Sequence, residues 1–173
     1  MLIVIGGLPG TGKTTIAREL VARWSSVYLR IDTIEHALRT VPRHVKEVGP
    51  AGYLVAYELA KSNLALGMPV VADCVNPLTV TREAWRAVAA TASSLLLEVE
   101  VVCSDLTEHR SRVEGREAGM RGFALPTWEA VMGHDYEKWT TERLAIDSAL
   151  ISASEAVEMI LDRSRSLTAS ERP

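Results

Sequence analysis

The run Gly7-Leu8-Pro9-Gly10-Thr11-Gly12-Lys13-Thr14 constrains this chain more than any other segment. It follows a run of β-formers, Leu2-Ile3-Val4-Ile5-Gly6, and opens a stretch with Ile16, Leu20 and Trp24 at i, i+4 and i+8, the spacing of one helical face. A G-x-x-x-x-G-K-[ST] pattern between a strand and a helix reads as a P-loop. Its glycines allow successive backbone N–H groups to turn inward as an anion nest, here at Gly10, Thr11 and Gly12. The helix N-terminus adds about half a positive charge. Lys13 is expected to reach the β- and γ-phosphates, the Thr14 hydroxyl to coordinate Mg²⁺, and Thr15 to add an α-phosphate contact. The expected ligand is therefore a nucleoside triphosphate, ATP with Mg²⁺. A glycine-rich turn without a ligand is the bland alternative, and the complete motif in its complete context weighs against it.

The rest of the chain alternates short apolar runs with helical stretches. After the first strand and a helix over 13–24, strands are expected at 27–31, 70–73, 95–103 and 143–147. Helices are expected from 32 to about 39, over 51–66, from 81 to about 92, from 106 to about 118, after Pro126, and over about 154–165. The 51–66 helix is apolar nearly all round and is expected to be buried. Trp128, Val131, Met132 and Trp139 are expected on one stripe of the helix after Pro126. Strand–helix alternation with near-continuously apolar strands predicts an α/β fold with a parallel sheet covered on both faces. Ligands on such sheets bind at the carboxyl ends of the strands. The chain reads as a single domain over 1–173 with a lid at about 109–126.

Two carboxylates stand at those strand ends. Asp32 closes the second strand and Asp73 the third. Phosphoryl transfer needs a carboxylate to hold Mg²⁺ and often one to orient or deprotonate the accepting hydroxyl. Asp32 is the candidate base, and Asp73 the candidate for metal or acceptor, although the two roles are exchangeable. Asp32 can also be read as a helix cap. Asn76 and Arg82 lie just beyond Asp73 and are candidate acceptor contacts, while Asn76 before Pro77 also suits a plain turn.

In the run 108–116, His109, Arg112 and Arg116 share a helical face at i, i+3 and i+7. Gly115 weakens that helix by up to about 1 kcal/mol relative to alanine. The segment continues into Gly119, Arg121 and Gly122. Arginines beside hinge glycines suit a lid that brings guanidinium groups onto the transferring phosphate, with Arg112 and Arg116 as the principal candidates. A solvated face with an Arg110–Glu114 pair is the alternative. Of the aromatic residues Trp128, Tyr136 and Trp139, one ring is a candidate for an acceptor pocket, and core packing is the plainer reading.

Composition narrows the partners. The 173 residues carry a net charge of −3 without a block of like charge, and a duplex-binding protein usually has a basic face. Cys74 and Cys103 form no C-x-x-C pair, so neither a disulfide framework nor a zinc site is expected. The first strand begins at residue 2, leaving no room for a signal peptide, and no apolar run reaches membrane-spanning length. A cytoplasmic protein, monomeric or homodimeric, is expected.

Several pieces together resemble a known group. These are Gly-Leu-Pro-Gly-Thr-Gly-Lys-Thr-Thr at 7–15, Arg-Ile-Asp-Thr at 30–33, Val-Val-Ala-Asp-Cys-Val-Asn-Pro at 70–77 and Glu-His-Arg-Ser-Arg-Val-Glu-Gly-Arg at 108–116. Across essentially its whole length the chain resembles the small P-loop kinases: chloramphenicol phosphotransferase, gluconate and shikimate kinases, and the kinase domain of polynucleotide kinase. It resembles in particular the short bacterial proteins labelled AAA family ATPase or predicted kinase. That resemblance implies a three-layer α/β/α fold, strand order 2-3-1-4-5, Asp32 as base or acceptor ligand, Arg112 and Arg116 as lid arginines, and Ser148 near the adenine. The chain departs from a true AAA+ module, because Cys74 follows Asp73 where that module has Asp-Glu. An Asn-Lys-x-Asp guanine signature is also absent. Three functions compete: a small-molecule kinase, a polynucleotide 5′-hydroxyl kinase, and an ATP-dependent module without an acceptor.

Overall fold

The period of two along Leu2–Gly6 decides the layering. Leu2 and Val4 pack into one core cluster, while Ile3 and Ile5 pack into another, so both faces of this strand are covered. The computed structural model describes residues 1–40, 49–115 and 125–170. In chain order the elements are β1 (Leu2–Gly6), α1 (Lys13–Arg23), β2 (Val27–Arg30), α2 (Ile31–Thr40), α3 (Ala51–Ala65), β3 (Val70–Asp73), α4 (Thr79–Thr91), β4 (Leu96–Val102), α5 (Leu106–Glu114), α6 (Trp128–Met132), β5 (Leu144–Asp147) and α7 (Ala153–Ser170).

The sheet is parallel throughout, with order β2-β3-β1-β4-β5. This is the three-layer α/β/α fold with the expected 2-3-1-4-5 order. On one face, α1 and α7 supply Ile16, Leu20, Val157 and Ile160 against Ile3, Ile5, Val99 and Ile146. On the other, α3 and α4 supply Ala56, Ala60, Trp85 and Val88 against Leu2, Val4, Val70 and Ala72. β1 lies at the centre, so the loop after it emerges between neighbours on both sides. Register pairs Ile5 with Asp73 and Arg30 with Asp73, which sets the ends of β1, β2 and β3 side by side.

Some elements differ from expectation for local reasons. α3 is not buried all round: Tyr57 and Leu64 face the sheet, while Leu54 is 57% and Leu59 42% exposed. An outer helix of a three-layer fold covers the sheet with one face only, whatever its composition. α4 begins at Thr79 and not at a Thr81 cap; the Thr81 hydroxyl instead donates to the Leu78 carbonyl at 2.7 Å. α6 ends at Met132, so Trp139 lies beyond the expected stripe. α7 runs on to Ser170. Among the described residues no helix is long and apolar enough to cross a membrane.

Trp85 is fully buried and meets the Tyr57 ring edge-on, centroids 4.6 Å apart. Trp85→Ala should cost about 3–5 kcal/mol of unfolding free energy. Urea denaturation should show this as a lower midpoint at unchanged slope.

Candidate functional site

The loop after β1 is shaped by two left-handed glycines. Gly12 precedes α1 at φ 89° and offers that helix no side-chain cap, which leaves the first-turn amides without an acceptor from their own cap. Gly10 adopts φ 87°, and a methyl group there would lie 2.5 Å from Val113 Cγ2. A side chain at either position would meet left-handed strain, and at Gly10 a collision as well. Thr11 is 3% exposed, and its hydroxyl donates inside the loop to the Leu8 carbonyl at 2.9 Å. The Thr11 backbone N–H also donates to the Leu8 carbonyl, at 3.4 Å. Lys13 is buried, with Nζ 3.4 Å from the same carbonyl. Thr14 is half-buried and Thr15 exposed.

Beside the loop lies a cavity of about 520 Å³, within the usual size range of small-ligand sites. Gly12, Lys13, Thr14 and Thr15 form one wall, and Arg112 and Ser148 stand among the rest. Arg112 donates through Nη1 to Ser148 Oγ at 2.7 Å, through Nη2 to the Ser148 carbonyl at 3.0 Å, and to Glu108 at 2.5 Å. The arginine expected at the phosphates and the serine expected near the base thus come together at this cavity. Arg112 is committed to neighbours in the resting state. Arg116 and Arg121 fall outside the described residues, as does half of the expected lid.

Asp147 holds this wall in place. Its Oδ1 accepts from the backbone N–H groups of Ser104 and Ala149, each at 3.0 Å. The hydrogen bond from Ser104, with smaller help from Ala149 and Arg112, holds its carboxyl below the usual aspartate range. Asp147 therefore ties the loop after β4 to the loop that carries Ser148.

The carboxylates lie at the neighbouring strand ends. Asp73 is 2% exposed; the Tyr28 hydroxyl donates to its Oδ2 at 2.7 Å, and Arg30 Nε stands 3.7 Å from the same oxygen. Arg30 also donates to Asp32 Oδ2 at 2.9 Å, so one guanidinium links both acids. Asp32 lies inside the first turn of α2 as its second residue, with its carboxylate on Arg30. Burial first, then the Asp73 charge, push the Tyr28 phenol far above its ordinary range. Sequence reasoning passed over Tyr28 and Arg30. Their signal was polar side chains two apart on β2, the strand that pairs with β3 and its Asp73. Thr14 and Asp73 supply hard oxygen donors of the kind Mg²⁺ takes, alongside phosphate oxygens and water. Among the described residues no cluster of three or more His, Cys, Asp or Glu makes a protein-only metal site.

Asn76 and Arg82 have different settings. Asn76 is fully buried at φ 50°; its N–H donates to Tyr53 Oη at 2.9 Å, and both polar atoms of its side chain lack a partner among the described residues. Arg82, expected as an acceptor contact, is built into the fold. Its guanidinium donates to the carbonyls of Asn76, Pro77, Glu137 and Lys138 at 2.8–3.3 Å. Its flat face lies over Trp139, 4.1 Å from the ring centroid, and over Tyr136 at 5.2 Å. Those two aromatic residues are therefore packed on Arg82. Burial raises the Tyr136 phenol to about 12. His109, weighed for phosphate, is buried against the P-loop instead, with Nε2 2.8 Å from the Pro9 carbonyl.

A family model described as an AAA domain matches residues 2–129. Solved structures share the architecture from end to end. The APS kinase CysC of Mycobacterium tuberculosis, in complex with AMPPNP and APS, is 22% identical, with 93% of this chain and 95% of that chain covered and a TM-score of 0.68. A gluconokinase from Sinorhizobium meliloti 1021 is 18% identical, with 98% and 97% covered and a TM-score of 0.67. Kti12 of Chaetomium thermophilum, in complex with ADP-AlF3, is 20% identical, with 94% and 98% covered and a TM-score of 0.69. At these identities the likeness is one of fold. No curated protein matches the chain.

The Asp147 bonds carry a pH signature. A carboxyl held below its ordinary range stabilises the folded state above that range, and loses this effect as pH falls through the folded-state value. Asp147→Ala should therefore lower the melting temperature most at neutral pH. The gap to the wild type should narrow as the pH drops below about 4. Thermal melts at several pH values measure this gap, and one that widens toward acid would contradict the assignment.

Proposed function

This chain belongs to the AAA domain family and carries the fold of the P-loop kinases; from that premise we propose that it is an ATP-dependent phosphotransferase whose acceptor is the hydroxyl of a small molecule, such as a nucleoside, a sugar or an antibiotic. The observation that carries this reading is the pair Asp32 and Asp73, joined by Arg30 at strand ends adjoining the P-loop. A nucleotide-binding site alone needs the loop; a site that moves a phosphoryl group also needs a carboxylate at the attacking oxygen.

In this proposal the amides of Gly10, Thr11 and Gly12 and the Lys13 ammonium hold the β- and γ-phosphates. The nucleoside occupies the cavity between the loop, Arg112 and Ser148. Thr14 and Asp73 are the residues that would hold Mg²⁺, which supplies charge neutralisation on the phosphate oxygens when bound. Asp32 accepts the proton of the acceptor hydroxyl as its oxygen bonds to the γ-phosphorus. The bond from that phosphorus to the β-phosphate oxygen breaks, and ADP leaves. Asn76, with its unsatisfied amide, is retained as an acceptor contact, and Arg116 as a lid arginine. The setting is the cytoplasm, where ATP is available.

A nucleotide-operated module without an acceptor is the second reading, favoured by the ties that hold both acids to Arg30 and Tyr28 at rest. A polynucleotide 5′-hydroxyl kinase is the third, and the net charge of −3 weighs against it.

ATP consumption with Mg²⁺ should rise strongly with one class from a panel of nucleosides, sugars, hydroxylated antibiotics and 5′-hydroxyl oligonucleotides, with phosphate recovered on that compound. Lys13→Ala should abolish turnover. Asp32→Asn should lower kcat by about 10²–10⁴ with ATP affinity nearly kept. Full kcat in Asp32→Asn would remove Asp32 as the base. Slow turnover indifferent to every acceptor would shift the weight to the module.

A further inference from the structure

The outward carbonyls of a phosphate-binding loop need partners as much as its inward amides need an anion. The Leu8 carbonyl is satisfied within the loop by the Thr11 hydroxyl. The Pro9 carbonyl is satisfied from outside, by His109 of α5 at 2.8 Å. A carbonyl only accepts, so His109 carries its proton on Nε2 and donates. The imidazole is 4% exposed and meets the Trp128 ring of α6 edge-on, centroids 5.1 Å apart at 87°. Val113, one turn further along α5, sits as close to Gly10 as a glycine permits.

We infer that His109 is a positioning residue for nucleotide binding, acting through the Pro9–Gly10 peptide. This inference rests on the nucleotide-binding reading of the loop. The Pro9 carbonyl and the Gly10 N–H belong to one planar trans peptide and point in opposite directions. Fixing the carbonyl on His109 therefore fixes the Gly10 amide, directing it away from α5. Without the donor, the peptide plane is free to rotate, and an amide of the nest loses its aim. Because His109 touches the loop's back and not the ligand, its loss weakens binding of phosphates and leaves binding of the nucleoside part alone. The Trp128 ring locks the imidazole rotamer, so the orientation is set before ligand arrives.

The test compares His109→Gln with His109→Asn. Both keep a polar side chain in the slot. The glutamine amide nitrogen takes the place of Nε2 and reaches Pro9, whereas the asparagine amide nitrogen takes the place of Nδ1 and falls short. Titration of the full chain with Mg²⁺-ATP, and separately with adenosine, should give a near wild-type ATP Kd for His109→Gln. His109→Asn should bind ATP about tenfold more weakly, the scale of one lost orienting hydrogen bond. Adenosine affinity should be equal in both. Equal ATP affinity in the two variants overturns the inference, and so does a parallel loss of ATP and adenosine binding, which marks a merely structural residue. Absence of ATP binding by the wild type would overturn the nucleotide reading itself, a result separate from either.

Discussion

The structure depends on a helix that starts at the phosphate loop without a side-chain cap of its own. α1 starts directly behind the central strand, and its preceding residue is a glycine with no side chain to turn back onto the first turn. An ordinary helix would begin with Ser, Thr, Asp or Asn and satisfy those N–H groups locally, a gain of about 1 kcal/mol. That gain is forgone at α1, as at α3 and α4, but at α1 the sheet also delivers a buried lysine and two aspartates. Placing β1 in the middle of the sheet makes this possible, since β3 brings Asp73 to one side and β4 leads into α5 on the other. The two apolar layers hold that arrangement, so the loop is free to be strained and polar.

The site's guanidinium groups differ in what they are attached to, and this separates scaffold from machinery. Arg82 is spent on main-chain carbonyls from two segments distant in sequence and on two aromatic faces. Pulling it away would orphan several buried carbonyls at once, which makes it a fixed staple between the loop after β3 and the segment before β5. Arg30 is attached to the side chains of Asp32 and Asp73, and Arg112 to those of Glu108 and Ser148 and to one carbonyl, that of Ser148. Side-chain ion pairs that are partly exposed are weak and exchangeable. Arg112, on the half-exposed Glu108, can therefore trade partners when a charged ligand arrives, whereas Arg30 is held by the buried Asp73 and Arg82 by carbonyls.

Much of this was legible from residues. The P-loop, the parallel sheet and Asp105 as the cap of α5, where it accepts from Thr107 and Glu108, all follow from local rules that act over a few residues. Strand order came from resemblance, since periodicity carries no information about which strand lies beside which. The setting of Arg82 is not legible, because an arginine near a strand end is the same letter whether it faces a substrate or a carbonyl, and the return of residues 136–139 to pack on it is not written locally. His109 was underrated for a related reason. Its helical face was read correctly as shared with Arg112, but the P-loop itself was the surface that face met. Tyr28 and Arg30 were hidden inside a strand that otherwise reads as core.

The resting site is self-neutralised, and this bears on how it would work as a phosphotransferase. Among the described residues, Arg30 and Arg112 are each matched by a carboxylate already in contact. A nucleotide's phosphates bring several negative charges into that balance, and the backbone amides meet them with no exchange of ion-pair partners. The main chain is therefore the preorganised part of the site, aligned before binding and costing nothing to reorient. The side chains are the part that rearranges: Arg112 must leave Ser148 to reach a phosphate, and Asp32 must loosen from Arg30 to take a proton. Weak binding before the exchange and tight charge stabilisation after it is the pattern expected of a site that favours the transferring state over the bound one. It also places the demand for accuracy on the loop's peptide planes, where a single buried imidazole holds the outermost one.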